Sequence, residues 1–215
     1  MKIVKLRPSQ RVRDRWLAFL EDGAILRLGS GEVAAFGLYA GMELSPELLE
    51  RLNAAARQGR VRDKALDLIA ARPLSRKELT DKLTARPRDR EKAAATAEEA
   101  AAAADWLEEM GYLDDADYAR RVVEHYSARG CGPAKLRDEL YRRGVPRDLW
   151  EEALTQAEDP AEAIDAFVAK KLKGAAVSDP KELKKVSDAL ARRGYSWSDI
   201  SEALRRYDSR LELEE

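Results

Sequence analysis

The chain holds one cysteine and one histidine in 215 residues. A single thiol, Cys131, excludes an internal disulfide framework and any Cys-x-x-Cys zinc or redox site. With His125 as the sole imidazole, no zinc site needing two ligands of each kind can be assembled. A Cys/His catalytic dyad would have to use these two residues, six apart across Gly130. They read instead as a helix-face histidine and a small, semi-buried thiol. No apolar run approaches the roughly 18 residues of a membrane span, so no membrane association is expected. The first 16 residues lack the apolar segment of a secretory leader, so a cytoplasmic protein is expected. Gly29-Ser30-Gly31 lacks the further glycines and the Lys-Ser/Thr of a phosphate loop and reads as a turn. Net charge is also missing: 39 Lys+Arg offset 40 Asp+Glu, leaving −1.

What is present is 37% charged and 45% hydrophobic residues. That is apolar enough for a core, and the length suits one or two domains. Abundant charge with no net sign suggests helices with solvated faces. Carboxylate pairs such as Asp114-Asp115 and Glu151-Glu152 read as helix caps and surface charge.

Residues 1–45 read as a small β-rich module. Residues 2–6 alternate apolar and basic side chains, and residues 15–20 read as a strand. Asp22-Gly23 is a hairpin turn signal, and residues 24–28 return as the partner strand. A short helix over 32–36 and a short strand near 42–44 complete an α+β unit. From Ser45 the pattern is helical. Ser45-Pro46 is a cap with proline at the first helical position. A helix carrying Leu48, Leu49 and Leu52 follows, then a second over 62–71, stopped by Arg72-Pro73. Ser75-Arg76-Lys77-Glu78 is a capping box opening a helix that buries Leu79 and Leu83. The alanine-rich run over 91–110 favours a long helix by propensity, with an apolar end at Trp106, Leu107 and Met110, stopped by Gly111.

The second half repeats itself. Residues 135–154, KLRDELYRRGVPRDLWEEAL, align without a gap on 185–204, KVSDALARRGYSWSDISEAL, with nine identities in twenty. Each copy reads as three short helices. The first opens at Asp114, or at Asp159-Pro160, and ends at Gly130 or Gly174. The second enters at Pro133 or Pro180 and ends at Arg-Arg-Gly. The third carries Trp150 and Leu154, or Ile200 and Leu204, with Trp150 and Ile200 expected in the core. No such helix buries enough surface alone, so neighbours must stack. A degenerate first copy is expected over about 62–113, with Leu79 and Leu83 spaced like Leu136 and Leu140. The expected fold is mainly α: tandem three-helix repeats forming an elongated curved solenoid, after a small β-rich module. Boundaries are expected at 1–45, 46–113, 114–157 and 158–207, with an acidic tail over 208–215.

Four motifs in order carry a resemblance: Arg72-Pro73-Leu74-Ser75-Arg76-Lys77-Glu78-Leu79, Gly111-Tyr112-Leu113-Asp114-Asp115-Ala116-Asp117-Tyr118-Ala119, Gly130-Cys131-Gly132-Pro133-Ala134-Lys135-Leu136, and Glu139-Leu140-Tyr141-Arg142-Arg143-Gly144-Val145. Together they resemble the RecX family over roughly residues 60–205, and the N-terminal module is similar to the β-rich extension seen in part of that family. Residues 84–104 depart from the family pattern, with Arg86-Pro87-Arg88 and the alanine-rich run in place of a glycine turn and a shorter helix. The resemblance implies a regulatory protein that binds the RecA–DNA filament and suppresses its ATPase and strand exchange, and so bears on recombination, repair and the SOS response. It implies no catalysis and no cofactor.

Charge is segregated along the chain. Lys2, Lys5, Arg7, Arg11, Arg13 and Arg15 stand against Asp14 alone. Residues 129–147 hold six cations against Asp138 and Glu139, whereas residues 93–118 hold eight acidic residues and no basic one. Lys135, Arg137, Arg142, Arg143, Lys170, Lys171, Lys185, Arg192 and Arg193 are the candidate contacts to filament or phosphate. For the Arg-Arg pairs a second reading stays open: cations in a last helical turn complement the helix dipole. DNA alone should be bound weakly and without sequence preference, by a monomer. Two further readings remain: a tandem helix-turn-helix-like DNA-binding protein, and a helical scaffold for another partner. The third helices begin Pro146-Arg147-Asp148 and Trp197-Ser198-Asp199, which offer little to read base edges.

Overall fold

The computed structural model describes residues 1–12, 14–86, 94–157, 159–172 and 180–214. The chain divides into two compact units, Met1–Arg72 with Leu79–Met110, and Pro73–Glu78 with Gly111–Glu215. Arg13, Pro87 to Ala93 and Gly174, which figure in the sequence reading, lie outside the described residues.

The first unit opens with β1 (Ile3–Pro8), β2 (Arg15–Leu20) and β3 (Ile25–Gly29), an antiparallel sheet in the order β1-β2-β3. The Asp-Gly turn closes the β2–β3 hairpin: Leu20 N donates to Ala24 O at 2.8 Å, and the Asp22 carboxylate accepts from Ala24 N at 2.9 Å. One sheet face is covered. Ile3, Ala18, Leu20, Leu26 and Leu28 share a core with Leu44, Leu52 and Ala56. Two helices follow, α1 (Ser30–Ala35) and α2 (Pro46–Ala71), and Ser45 Oγ caps the second by accepting from Leu48 N at 3.2 Å.

Three expectations in this unit are corrected. The strand expected near 42–44 is an isolated bridge between Lys2 and Glu43; the segment runs beside β1 for too few residues before the Ser45 cap to extend a ladder. The separate helix over 62–71 does not exist, because α2 is one helix of 26 residues. Gly59 sits in its interior, and a glycine there costs about 1 kcal/mol. Burial of Leu52, Ala56 and Ala65 on either side outweighs that. The alanine-rich run is not helical over residues 94–96: α4 spans Ala97–Glu109. Thr96 begins it through a reciprocal box with Glu99, at 2.9 and 3.1 Å. Its alanines are core residues, Ala100, Ala103 and Ala104 being buried with Leu107. Between α2 and α4, α3 (Arg76–Thr84) buries Leu79 and Leu83 as its spacing requires.

The second unit carries α5 (Asp115–Ser127), α6 (Pro133–Arg142), a 3-10 turn (Arg147–Leu149) leading into α7 (Trp150–Leu154), then α8 (Pro160–Leu172), α9 (Pro180–Arg192) and α10 (Trp197–Glu214). The caps are where the sequence puts them. Asp114 Oδ1 accepts from Ala116 N and Asp117 N at 2.8 and 2.9 Å, and Asp159 Oδ1 accepts from Ala161 N at 2.8 Å. Each repeat has its own core, one around Val123, Leu136, Leu140 and Ala153, the other around Ile164, Val168, Leu190, Ile200 and Ala203. Equivalent positions match: Leu140 and Leu190 are fully buried, and so nearly are Val145 and Tyr195.

Trp150 is the exception to that equivalence. Its counterpart Ile200 is fully buried, but Trp150 is half-buried at the edge of its core. Its Nε1–H donates to Val145 O at 2.9 Å. An indole exceeds the space an isoleucine fills, and its N–H needs an acceptor; the rim supplies both room and partner. The fold is mainly α, with tandem three-helix units behind a small antiparallel sheet.

Candidate functional site

Within the second unit, each Arg-Arg-Gly corner lies against the start of another helix, α3 for the first and α6 for the second. Ser75 and Gly132 are equivalent, each four residues before its buried leucine, Leu79 or Leu136. Both receive a corner. Ser75 Oγ donates to Arg143 O, while Gly132 N and Ala134 N donate to Arg193 O at 2.8 Å and Gly194 O at 3.1 Å. At Gly194 the backbones come so close that only glycine fits. Gly144 and Gly194 have φ of 66° and 91°. A Cβ on Gly194 would run into the backbone nitrogen of Lys135, and one on Gly144 would meet the Lys77 side chain. Arg-Arg-Gly is therefore first a packing corner inside the second unit.

The two arginines of each pair have different surroundings. In the first corner Glu139, nearly buried, holds Arg143 at 2.6 Å, Arg142, and Lys135 at 4.0 Å. Arg143 also donates to Tyr126 Oη at 3.0 Å and lies over that ring at 5.3 Å. Its guanidinium titrates above its ordinary range. Burial works against the charge, but Tyr118, Tyr126 and the hydrogen bonds to Tyr126 and Glu139 more than offset it. In the second corner Arg193 stacks over Phe167 at 4.5 Å and donates to Gly130 O at 3.5 Å. Arg143 and Arg193 thus face inward. Arg142, with its side chain 58% exposed, and the exposed Arg192 face water.

The remaining candidates are scattered. Arg137 makes an exposed ion pair with Glu151 at 3.4 Å. Lys185 pairs with Glu182 at 2.5 Å. Lys171 lies over Phe167 at 5.8 Å, and Lys170 is exposed beside it. The nine cations do not converge on one spot. The sequence reading missed that Tyr39, Tyr112, Tyr141 and Trp197 are exposed, the last two at 66% and 68%. Tyr141 was legible: α6 buries 136, 139 and 140, which leaves 141 on the opposite side of the wheel. It also missed that Asp115 caps a different helix, accepting from Arg76 N at 2.7 Å.

Among the described residues no group of three His, Cys, Asp or Glu side chains is gathered to hold a metal, and no helix is long and apolar enough to cross a membrane. Cys131 is half-buried against its repeat core, while His125 is exposed and meets Tyr126 edge-on at 5.1 Å. The third helix α7 has five residues behind one 3-10 turn, a poor scaffold for a groove-reading helix.

Residues 114–154 match the description "RecX, second three-helix domain", and residues 157–204 match "RecX, third three-helix domain". The chain is 32% identical over 152 residues to the regulatory protein RecX of Escherichia coli strain K12, covering 69% of this chain and 92% of that one. The figures are the same for the RecX of Salmonella paratyphi B. Among solved structures, a regulatory protein RecX superposes with a TM-score of 0.73 at 21% identity, over 95% of this chain and 98% of that chain. RecX from Lactobacillus salivarius gives 0.59 at 19% identity, over 70% and 96%. These two structures establish the likeness of fold.

Proposed function

The chain belongs to the RecX family, and on that premise we propose that it is a non-enzymatic modulator of the RecA recombinase. It acts as a monomer, binds the RecA–DNA filament through its three-helix units and lowers filament activity, and so regulates recombination, repair and the SOS response. The observation that carries this reading is a 32% identity running through 92% of a regulatory protein RecX. The segregated charge supports it: a nucleoprotein filament offers both phosphate and protein cations, and a chain with separate basic and acidic stretches can meet both. On DNA alone, binding is weak, salt-sensitive and indifferent to sequence, because cations are grouped along the sequence and side chains suited to read bases are not.

The test is RecA's single-strand-dependent ATPase with the purified protein added at equimolar ratio. The rate should fall, and the protein alone should hydrolyse neither nucleotide nor DNA. An unchanged RecA rate overturns the reading. A sequence-specific footprint on duplex DNA would favour a transcription factor instead.

A further inference from the structure

Within the first unit, the N-terminal sheet has a second face that does not take part in the core formed by the described residues. The strand register sets two complete cross-strand rows on it: Lys5, Phe19 and Ile25 in one, and Arg7, Leu17 and Arg27 in the other. The row between them, Leu6, Ala18 and Leu26, points the opposite way, and Ala18 and Leu26 are in the core with Leu52. None of the six residues of the outer rows belongs to that core. Lys5, Arg7 and Arg27 are exposed, Ile25 is 44% exposed, and Phe19 and Leu17 are half-buried by their neighbours. No carboxylate stands in either row, and none of the three cations has an acidic partner among the described residues. Arg15, on the same strand, is already paired with Asp63.

We propose that this face binds single-stranded nucleic acid, with Phe19 as the stacking platform and Lys5, Arg7 and Arg27 as the phosphate contacts. Charge complementarity selects an anion, since three unpaired cations meet no competing acid. The aromatic ring selects a strand with free bases. A base stacked on an aromatic side chain of a basic groove is the common means of holding single strands without reading sequence, and a sheet face carrying aromatics is one way to present it. Arg7 lies over Phe19 at 5.1 Å. A base can replace that guanidinium on the ring, which frees Arg7 for the phosphate. Two residues along a strand are about 6.7 Å apart and neighbouring strands about 4.8 Å, so the three cations surround the ring on two sides. The proposal extends the DNA-binding part of the proposed function and is independent of RecA.

Fluorescence anisotropy with the full-length protein tests it, using a labelled thymidine 20-mer and a mixed-sequence duplex of the same length. Expected is tighter binding to the single strand. Arg27→Glu should weaken it and make the slope of log K against log salt shallower by about 0.7 for each phosphate no longer neutralised. Phe19→Leu, which keeps apolar bulk and removes the ring, should weaken it about fivefold or more. Thermal melting checks folding, and Arg27→Glu, at an exposed position, decides the matter if Phe19→Leu fails to fold. Unchanged single-strand affinity in the folded variants overturns the proposal, as does equal affinity for the duplex. Variants that keep oligonucleotide binding but lose inhibition of RecA's ATPase would make the face a protein-docking surface, which also overturns it. Failure of the RecA reading appears separately, as an unaltered ATPase in the wild-type mixture.

Discussion

Two adjacent arginines differ more than their sequence suggests. Read from sequence, Arg142 and Arg143 are both last-turn cations, each worth about 0.3–1 kcal/mol against the helix dipole. In the structure Arg143 is an inward partner of Glu139 and Tyr126, while Arg142 is an outward partner of the same carboxylate. Removing a partner from a nearly buried carboxylate costs about 3–5 kcal/mol when nothing replaces it. Here Arg142 remains, so Arg143→Ala should cost about 2–3 kcal/mol. Arg142→Ala, which removes the exposed partner and leaves Arg143 on Glu139, should stay under about 1 kcal/mol. Urea unfolding of the two variants measures both, and equal losses would show that Glu139 does not distinguish its partners. Sequence could not separate the pair, since the distinction depends on Tyr126, 17 residues away.

At the scale of elements, most of what was legible came from local chemistry, and most of what was missed came from competition between signals. Caps at Ser45, Ser75, Asp114 and Asp159, prolines at 46, 133 and 180, and glycines after Arg143 and Arg193 marked helix ends correctly, because each acts within four residues of itself. The two helices expected before Arg72-Pro73 are one, since tertiary burial along α2 outweighs the low helix propensity of Gly59. The alanine run hid its own start, since Thr96 and Glu99 looked ordinary beside it. The candidate cations were legible as charges but not as a site, because exposure and pairing depend on neighbours far along the chain. The corner glycines give the sharpest element-scale test. Both need a left-handed backbone, at about 1–2 kcal/mol for an ordinary residue. Beyond that, Cβ at 194 strikes Lys135 backbone nitrogen, whereas Cβ at 144 strikes side-chain atoms of Lys77. The Lys77 stem beyond its Cβ can swing aside and the Lys135 backbone cannot, so Gly194→Ala should cost about 3–4 kcal/mol and Gly144→Ala about 2–3. Denaturant titrations of the two variants would contradict this order if Gly144→Ala proved the costlier.

At the scale of the molecule, near-zero net charge conceals surfaces of opposite character, and the repeat decides which cations are available to a partner. The packing corners consume Arg143 and Arg193, and leave Arg142 and Arg192 at matching positions facing water. Arg142 stands beside the exposed Tyr141. If the three-helix units meet the filament at these corners, the outward arginines are the contacts and the inward ones their supports. The double variant Arg142→Gln, Arg192→Gln removes both outward charges without opposing Glu139 with another acid. Its melting temperature should move little, since the exposed Arg142 guanidinium contributes about 0–1 kcal/mol, Glu139 keeps Arg143, and the Arg192 side chain is exposed. The concentration needed for half-inhibition of RecA's ATPase should rise at least about tenfold, because each charged hydrogen bond removed from an interface is worth about 1.5–3 kcal/mol. The loss should shrink as salt rises, because screening already weakens the wild-type interactions. A folded double variant that inhibits as well as the wild type would confine Arg142 and Arg192 to the helix ends, and would move the docking surface to the Lys170-Lys171 helix or to the basic N-terminal module.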